Sequence, residues 1–470
     1  MRTATMSFSI VAASLLITST HAYSLQISSE QRESIDLTLY NQDLGLVRET
    51  RKLPKLTTGQ SVTLEDVSEQ LQVESLRIDN AGKILEQNLN TNLLNQRNLL
   101  QHFIGKELQL ARLNPVSGKE IISQVQLLNI DGSRALIKRN NRFESIPLNN
   151  NWRFIFPSLP NQLLSKPSLN FRTSGTTRTQ NARISYLTSG LNWGMDYVMT
   201  LNKAGNQVTL DGLASLTNRT GTDFQGAKVS LVAGDLNNPG ARHAVALQED
   251  FSNYAMARGA APKSVARENI GDFHLFSLPR KVDLLNGQVK QVSFLTAKQI
   301  PVSRSYDYEF LVYPTLERNQ HRVKPNLTLK LVNDKASNLG LPLPAGKIRT
   351  FSPDSSGQLQ FMGGSSIGHT GKGDEVEIKQ GKAFDISIHR KQTHFSTIFN
   401  GYKVAQELKI SNSRSTPAKL VLTANFPLKW EMKSSNLEYK KVLGGSAQWE
   451  ITVPANGEQK LAFQVTMEKR

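Results

Sequence analysis

The sequence predicts an all-β chain: multi-domain antiparallel β-sandwiches with a small SH3-like or Sm-like barrel and one short helix. Three observations carry that expectation. Apolar residues recur with a period of two in segment after segment of the 470 residues, as in Tyr197, Met199 and Leu201 or Val229, Leu231 and Ala233, which is the signature of half-buried strands. The segments are short and are separated by turns rich in Asn, Asp, Gly and Pro. After Ile104 no stretch sustains the period of a helix.

The stretch from Arg183 to Gly234 organises the rest and reads as strand, turn, strand, turn, strand, with the turns at Asn202–Asn206 and Asn218–Thr222. Trp193 and Tyr197 share one parity there, so both are expected in a core rather than in a glycan-stacking patch. Before it, Ser34–Leu53 alternates around a turn at Asn41–Gly45, and Ser61–Leu64, Ser75–Ile78 and Ile84-Leu85 complete an opening antiparallel sheet. Leu94, Leu99, Leu100, Phe103 and Ile104 recur at helical spacing and predict the one short helix, with His102 in a capping or surface role. Glu107–Leu113, Ser123–Ile130, Arg134–Arg139 and Phe143–Leu148 are four short strands joined by tight Asp-Gly and Asn-Asn turns, the compactness of a small barrel. Phe143, Trp152, Phe154 and Phe156 are expected to pack beneath it.

Beyond the central stretch, strands are expected at Phe273–Leu278, Gln291–Leu295 and Ser305–Tyr313, then at Asn326–Asn333, Gly346–Phe351, Leu359–Met362, Asp374–Ile378 and Ala383–Ile388. Tyr402–Ile410, Ala418–Ala424, Trp449–Val453 and Lys460–Met467 have the spacing of an immunoglobulin-like sandwich. The expected organisation is a signal peptide at 1–22, an amino-terminal β subdomain at 23–92, the helix plus small barrel at 93–157, a central sandwich at 158–315 with a mobile loop at 237–269, and a carboxy-terminal β region at 316–470.

Arg2, the apolar run Ile10–Ile17 and the small residues at Thr20-His21-Ala22 compose a secretory signal peptide. That run is too short to span a bilayer, where about 20 residues are needed, and no later stretch approaches that length. The chain has no cysteine, which excludes lipid attachment at a cleavage-site Cys and leaves stability to core burial. A periplasmic or secreted location is expected. The formal net charge of +17 favours anionic surfaces, among them envelope polysaccharide. The longest basic clusters are short, such as Lys138-Arg139 with Arg142, and Arg390-Lys391; Lys138, Arg139 and Arg142 are the candidate polyanion-binding residues. Basic residues are otherwise spread widely, and aromatic interleaving is thin, so specific nucleic-acid binding is not expected. In the Ala-, Asn- and Gly-rich loop, Phe251, Tyr254 and Met256 are the candidate partner-binding residues.

Ser185-Tyr186-Leu187-Thr188-Ser189-Gly190-Leu191 with Trp193, Asp196-Tyr197, Leu216-Thr217-Asn218 and Leu231-Val232-Ala233-Gly234-Asp235 resembles the bacterial domain-of-unknown-function 4139 family. Tyr40-Asn41-Gln42, Leu85-Glu86-Gln87-Asn88, Gly340–Gly346, Phe384-Asp385 and Arg390-Lys391-Gln392-Thr393 extend the resemblance over nearly all of the chain after residue 22. The resemblance implies an exported β-rich protein of undetermined activity, related to mucoidy-inhibitor-like proteins. Those commonly carry coiled-coil helices, for which this chain has no heptad pattern. It implies no catalytic residues.

One catalytic pattern matches by letter, Gly364-Ser365-Ser366-Ile367-Gly368 with His369 adjacent. A nucleophilic Ser366 needs a sharp turn from strand into helix, and a Gly-rich turn into another strand follows instead. His389 and His394, five apart, are expected on opposite faces of a continuous strand, which separates them as metal ligands. Gly371-Lys372-Gly373 is too short for a phosphate loop. Glu65-Asp66 and Asp196 read as turn and strand-end residues. No catalytic set, metal or cofactor is expected. The functional expectation is a non-catalytic binding or scaffolding component of the cell envelope, whose partner is an envelope protein or anionic envelope polysaccharide; the alternatives are an envelope hydrolase and an electrostatic adhesin.

Overall fold

Period-two burial is realised almost throughout the computed structural model, which describes residues 24–114, 118–160, 162–176, 178–234, 266–271, 273–442 and 444–469. The expected signal peptide and the residues Phe251, Tyr254 and Met256 lie outside the described residues. Among those described, strands dominate, with one α-helix and two short 3-10 turns. The all-β expectation holds. The chain forms two units, one from residues up to Leu37 with Leu46–Ser189 and Arg219–Ala227, the other from Thr38–Gly45, Gly190–Asn218 and Lys228 onward.

In the first unit, Leu25–Ile27, Ser61–Glu65, Ser168–Thr173 and Ile84–Asn90 lie in that order in one sheet. Leu25–Ile27 runs parallel to Ser61–Glu65, and Ser168–Thr173 is antiparallel to both of its neighbours. The expected opening sheet is therefore divided: Ser61–Glu65 and Ile84–Asn90 both pair with the distant strand Ser168–Thr173, whereas Arg77–Asp79 pairs with Gln180–Thr188. Val62, Leu64, Leu169 and Phe171 are buried by the same parity.

A second sheet of this unit runs Arg142–Pro147, Arg134–Arg139, Glu120–Asp131, Glu107–Leu113, Trp152–Ile155. Asn140 and Asn141 both adopt positive φ, 47° and 62°, as a two-residue hairpin turn requires. The expected barrel is an open sheet, because its end strands Arg142–Pro147 and Trp152–Ile155 are not hydrogen-bonded to each other. Its apolar face is covered instead by the helix Gln96–His102, capped when Asn95 Oδ1 accepts from the Asn98 N–H at 2.8 Å. Leu100 and Phe103 join Leu108, Leu110, Val125, Leu127, Ala135, Ile137 and Ile146 in this core. Trp152, Phe154 and Phe156 pack against it as expected. Phe143 does not: it stands 70% exposed on the other face.

The first unit also buries an ionic knot. Arg51, fully buried, donates to Ile27 O at 3.1 Å, Glu65 O at 2.7 Å and Asp66 O at 3.4 Å, and its Nη2 lies 2.9 Å from Glu49 Oε1. Arg32 Nε reaches the other oxygen of Glu49 at 2.6 Å. Tyr186 is buried beside this knot, and burial, reinforced by the Glu49 charge, pushes its phenol well above the ordinary value. Asp66 turns the chain at φ 62° and pairs with Lys166 at 2.9 Å, the turn role expected of it.

In the second unit, Val289–Pro301, Gln207–Asn218, Leu191–Leu201, Gly346–Pro353 and Leu359–Ile367 form a central sheet in that order. The organising stretch contains four strands rather than three: Gly190, at φ 83°, breaks it between Gln180–Thr188 and Leu191–Leu201. Leu191–Leu201 and Gln207–Asn218 make an uninterrupted antiparallel hairpin, and Gly346–Pro353 joins it in parallel. At Gly346 a Cβ would lie 2.3 Å from Met195 O, so only glycine admits this pairing. Trp193 and Tyr197 are buried as expected, Trp193 donating to Val232 O at 3.0 Å and Tyr197 to Pro344 O at 2.8 Å. Ser230–Ala233 of Phe224–Ala233 pairs with Phe273–Ser277.

The carboxy-terminal part is a two-sheet sandwich. One sheet orders Glu375–Lys382, Asn326–Val332, Ser303–Leu311, Ala418–Asn425, Ser446–Val453 and Lys440–Val442; the other orders His321–Val323, Ile386–Ile398, Gly401–Asn412, Gly457–Glu468 and Trp430–Ser435. Ser303–Leu311 and Ala418–Asn425 are parallel, a departure from the antiparallel expectation. Trp449, Phe463, Leu408, Leu420 and Ile388 lie in the core between them.

Candidate functional site

Alternation along the second sandwich sheet sends Ile388, Leu408 and Leu461 inward and leaves charged residues outside. The register Ser387–Ser411–Glu458, His389–Lys409–Lys460 and Lys391–Glu407–Ala462 sets three rows of side chains across three strands, and Arg322 stands opposite His389. Gln320, His389, Arg390, Lys391, Glu407, Lys409, Ser411 and Glu458 line a shallow trough of about 300 Å³ on this face.

Two carboxylates organise its cations. Glu407 bridges Lys460 at 2.6 Å and Lys391 at 3.0 Å. Lys460 first and Lys391 second hold its carboxyl below the ordinary value. Glu458 takes Lys409 at 2.8 Å and accepts the Ser411 hydroxyl at 2.9 Å, and its carboxyl is likewise lowered, chiefly by Lys409. Three lysine ammonium groups are thus fixed side by side on a rigid sheet, over half of Lys409 and Lys460 remaining open to solvent. Such an array can receive a chain of anionic groups, each replacing a glutamate oxygen at a lysine.

Behind the trough, Arg390 is an inward residue. Its Nη2 pairs with Glu317 Oε1 at 3.0 Å, its Nη1 donates to Leu311 O at 3.4 Å, and its guanidinium lies 5.4 Å from the Phe310 ring centroid. His321 Nε2 approaches the same Glu317 oxygen at 2.6 Å, and Gln392 Oε1 accepts the Glu317 N–H at 2.8 Å. This cluster ties residues 311–321 to the strand Ile386–Ile398 and so fixes one wall of the trough.

The expectation for the two histidines is corrected. The register shifts at Thr393, Gln392 facing Gln406 and His394 facing Ala405, so that this bulge returns His394 to the outer face that His389 occupies. Four partner-strand residues still separate them, roughly 13 Å. Among the described residues no three metal-ligating side chains converge. Ser366 sits within the strand Leu359–Ile367, opposite Lys347, and His369 Nδ1 accepts the Ala345 N–H at 3.2 Å; no helix follows to build an oxyanion site. Asp196, expected as a strand-end residue, lies mid-strand and accepts the Ser215 hydroxyl at 2.6 Å and Arg349 at 3.2 Å.

Of Lys138, Arg139 and Arg142, the structure brings only the last two together. Arg139 and Arg142 face each other across the hairpin, and Arg139 is engaged by Glu144. Lys138 faces Phe143 on the opposite side of the sheet. The trough residues escaped the sequence reading because they are scattered along the chain from Gln320 to Glu458. The signal was present in His389/Lys391, Glu407/Lys409 and Glu458/Lys460, charged residues two apart on the outward parity of three strands.

Among the described residues no helix is long and apolar enough to cross a membrane. No curated protein matches this sequence. The family profile described as Domain of unknown function (DUF4139) matches residues 182–469, which hold the central sheet, the sandwich and the trough, and the chain belongs to that family.

Proposed function

We propose that this protein is a non-catalytic binding component of the cell envelope, exported by the segment 1–22, which holds anionic envelope polymer on the outer sheet of its carboxy-terminal sandwich. The observation that supports this reading is the lysine cluster: Lys391, Lys409 and Lys460, in two neighbouring rows, held in place by Glu407 and Glu458. Ion pairs that already hold the cations in place reduce the ordering cost of meeting a ligand. The net charge of +17 adds long-range attraction, screened beyond about 8 Å at physiological salt.

The test uses fluorescein-labelled dextran sulfate of fixed length and anisotropy at several salt concentrations. Binding is expected at low salt and is expected to fall steeply as salt rises. Lys391→Gln with Lys460→Gln should weaken it about tenfold and flatten the salt dependence, whereas Lys138→Gln with Arg142→Gln should leave it nearly unchanged. Equal loss in both double variants would assign the binding to net charge alone and remove the trough from the reading.

A further inference from the structure

The central sheet and the two sandwich sheets of the second unit present six edge strands, and five of them carry charge: Lys290 and Lys298 in Val289–Pro301, Glu375 and Glu377 in Glu375–Lys382, Lys440 and Lys441 in Lys440–Val442, Arg322 in His321–Val323, and Glu431 and Lys433 in Trp430–Ser435. Charge on an edge is the usual guard against pairing with another chain. The sixth, Leu359–Ile367, has no charge and no proline across nine residues. Its surroundings are equally neutral, with no Asp, Glu, Lys or Arg between Asp354 and Lys372.

This strand is hydrogen-bonded on one side only, to Gly346–Pro353. Towards its end Gln380 packs against the hairpin, donating to Thr350 Oγ1 at 2.8 Å, and a Cβ on Gly363 would meet Gln380 O at 2.9 Å. The open part is Leu359–Met362, where Leu359, Phe361 and Met362 are 52%, 60% and 50% exposed. Phe361 faces Phe351 across the hairpin, ring centroids 5.6 Å apart, and Leu359 faces Pro353. Asp354 closes the hairpin by accepting from Ser356, Gln358 and Gln360. The result is a braced arm with an apolar side and an open edge.

We infer that this arm is a self-association site, joining two copies of the chain by antiparallel pairing of Leu359–Met362 with its symmetry mate. Charge selects the occupant. A second copy carries the same +17, and the uncharged arm is where two such molecules approach at least electrostatic cost. An acidic partner would call for basic residues in the patch, and it has none. A two-fold contact is also self-complementary, setting apolar Leu359, Phe361 and Met362 against one another with no like charges opposed. The arm is small beside a standard interface of roughly 1,600 Å², so a weak dimer is expected.

Sedimentation equilibrium of the full chain from about 1 to 200 μM tests this. A monomer–dimer equilibrium is expected, strengthened by 0.5 M NaCl because salt screens the mutual repulsion. Met362→Lys and Phe361→Lys, both at exposed positions and each checked for an unchanged melting curve, should weaken it at least tenfold. Phe399→Lys, at a fully exposed residue elsewhere, should leave it unaltered. A wild-type chain that stays monomeric throughout, a dimer that salt dissolves, or a dimer indifferent to both arm variants would each overturn the inference.

Discussion

Removing the carboxylate from the ionic knot of the first unit should be among the most damaging single changes in that unit. Glu49→Ala leaves Arg51, fully buried, and Arg32, 9% exposed in its side chain, as two cations with no counter-charge. Taking one partner from a buried pair typically costs about 3–5 kcal/mol. Arg51 keeps its three backbone carbonyls, which places Glu49→Ala toward the lower end, about 3 kcal/mol. For a unit of this size each kcal/mol moves the midpoint by about 2–4 °C, so calorimetry should show the midpoint falling by about 10 °C. Glu49→Gln, which keeps volume and an acceptor, should cost less. Replacing the knot with Arg32→Leu, Glu49→Leu and Arg51→Met should not restore stability as it does for simpler buried pairs, because Ile27, Glu65 and Asp66 would lose their charged donor. A Glu49→Ala loss below about 1 kcal/mol would refute this reasoning and mean that the carbonyls alone neutralise Arg51.

Two further outcomes follow from the geometry. Because Glu407 has a lowered carboxyl in the folded chain, its pairing with Lys460 and Lys391 contributes fully above the ordinary glutamate value of 4.5 and is lost as pH falls through the depressed folded value; dextran sulfate, which stays ionised, should therefore bind more tightly as the two lysines are released, and anisotropy measured from pH 6 to pH 3 checks the sign. Gly346→Ala forces a methyl group to within 2.3 Å of Met195 O and should cost about 1–3 kcal/mol as an overpacked site, read as an earlier urea midpoint in tryptophan fluorescence.

How much of this was legible depended on how local the information was. Strand existence was legible because burial repeats every second residue, as in Leu191–Leu201 with Trp193, Met195, Tyr197 and Met199 all inward. The helix was legible from Leu99, Leu100 and Phe103. Trp430–Ser435 and Lys440–Val442 escaped notice, since edge strands dominated by charge do not alternate clearly. Gly190 was read through because a single glycine within a regular pattern leaves that pattern intact. The bulge at Thr393 reversed the facing of His394, and one inserted residue has no periodic signature. Pairing between distant strands was not legible at all. That is why the trough was found only when Lys391, Lys409 and Lys460 fell into neighbouring rows.

The parallel union of Leu191–Leu201 with Gly346–Pro353 has a consequence for how the molecule comes to be. About 150 positions separate partners such as Met195 and Gly346, and closing so long a loop is paid in chain entropy before any contact rewards it. The hairpin Leu191–Asn218 can zip locally as soon as it is synthesised, yet its Leu191–Leu201 edge stays bare until Gly346 arrives. That edge is therefore expected to be completed late in folding, after the local hairpin has formed.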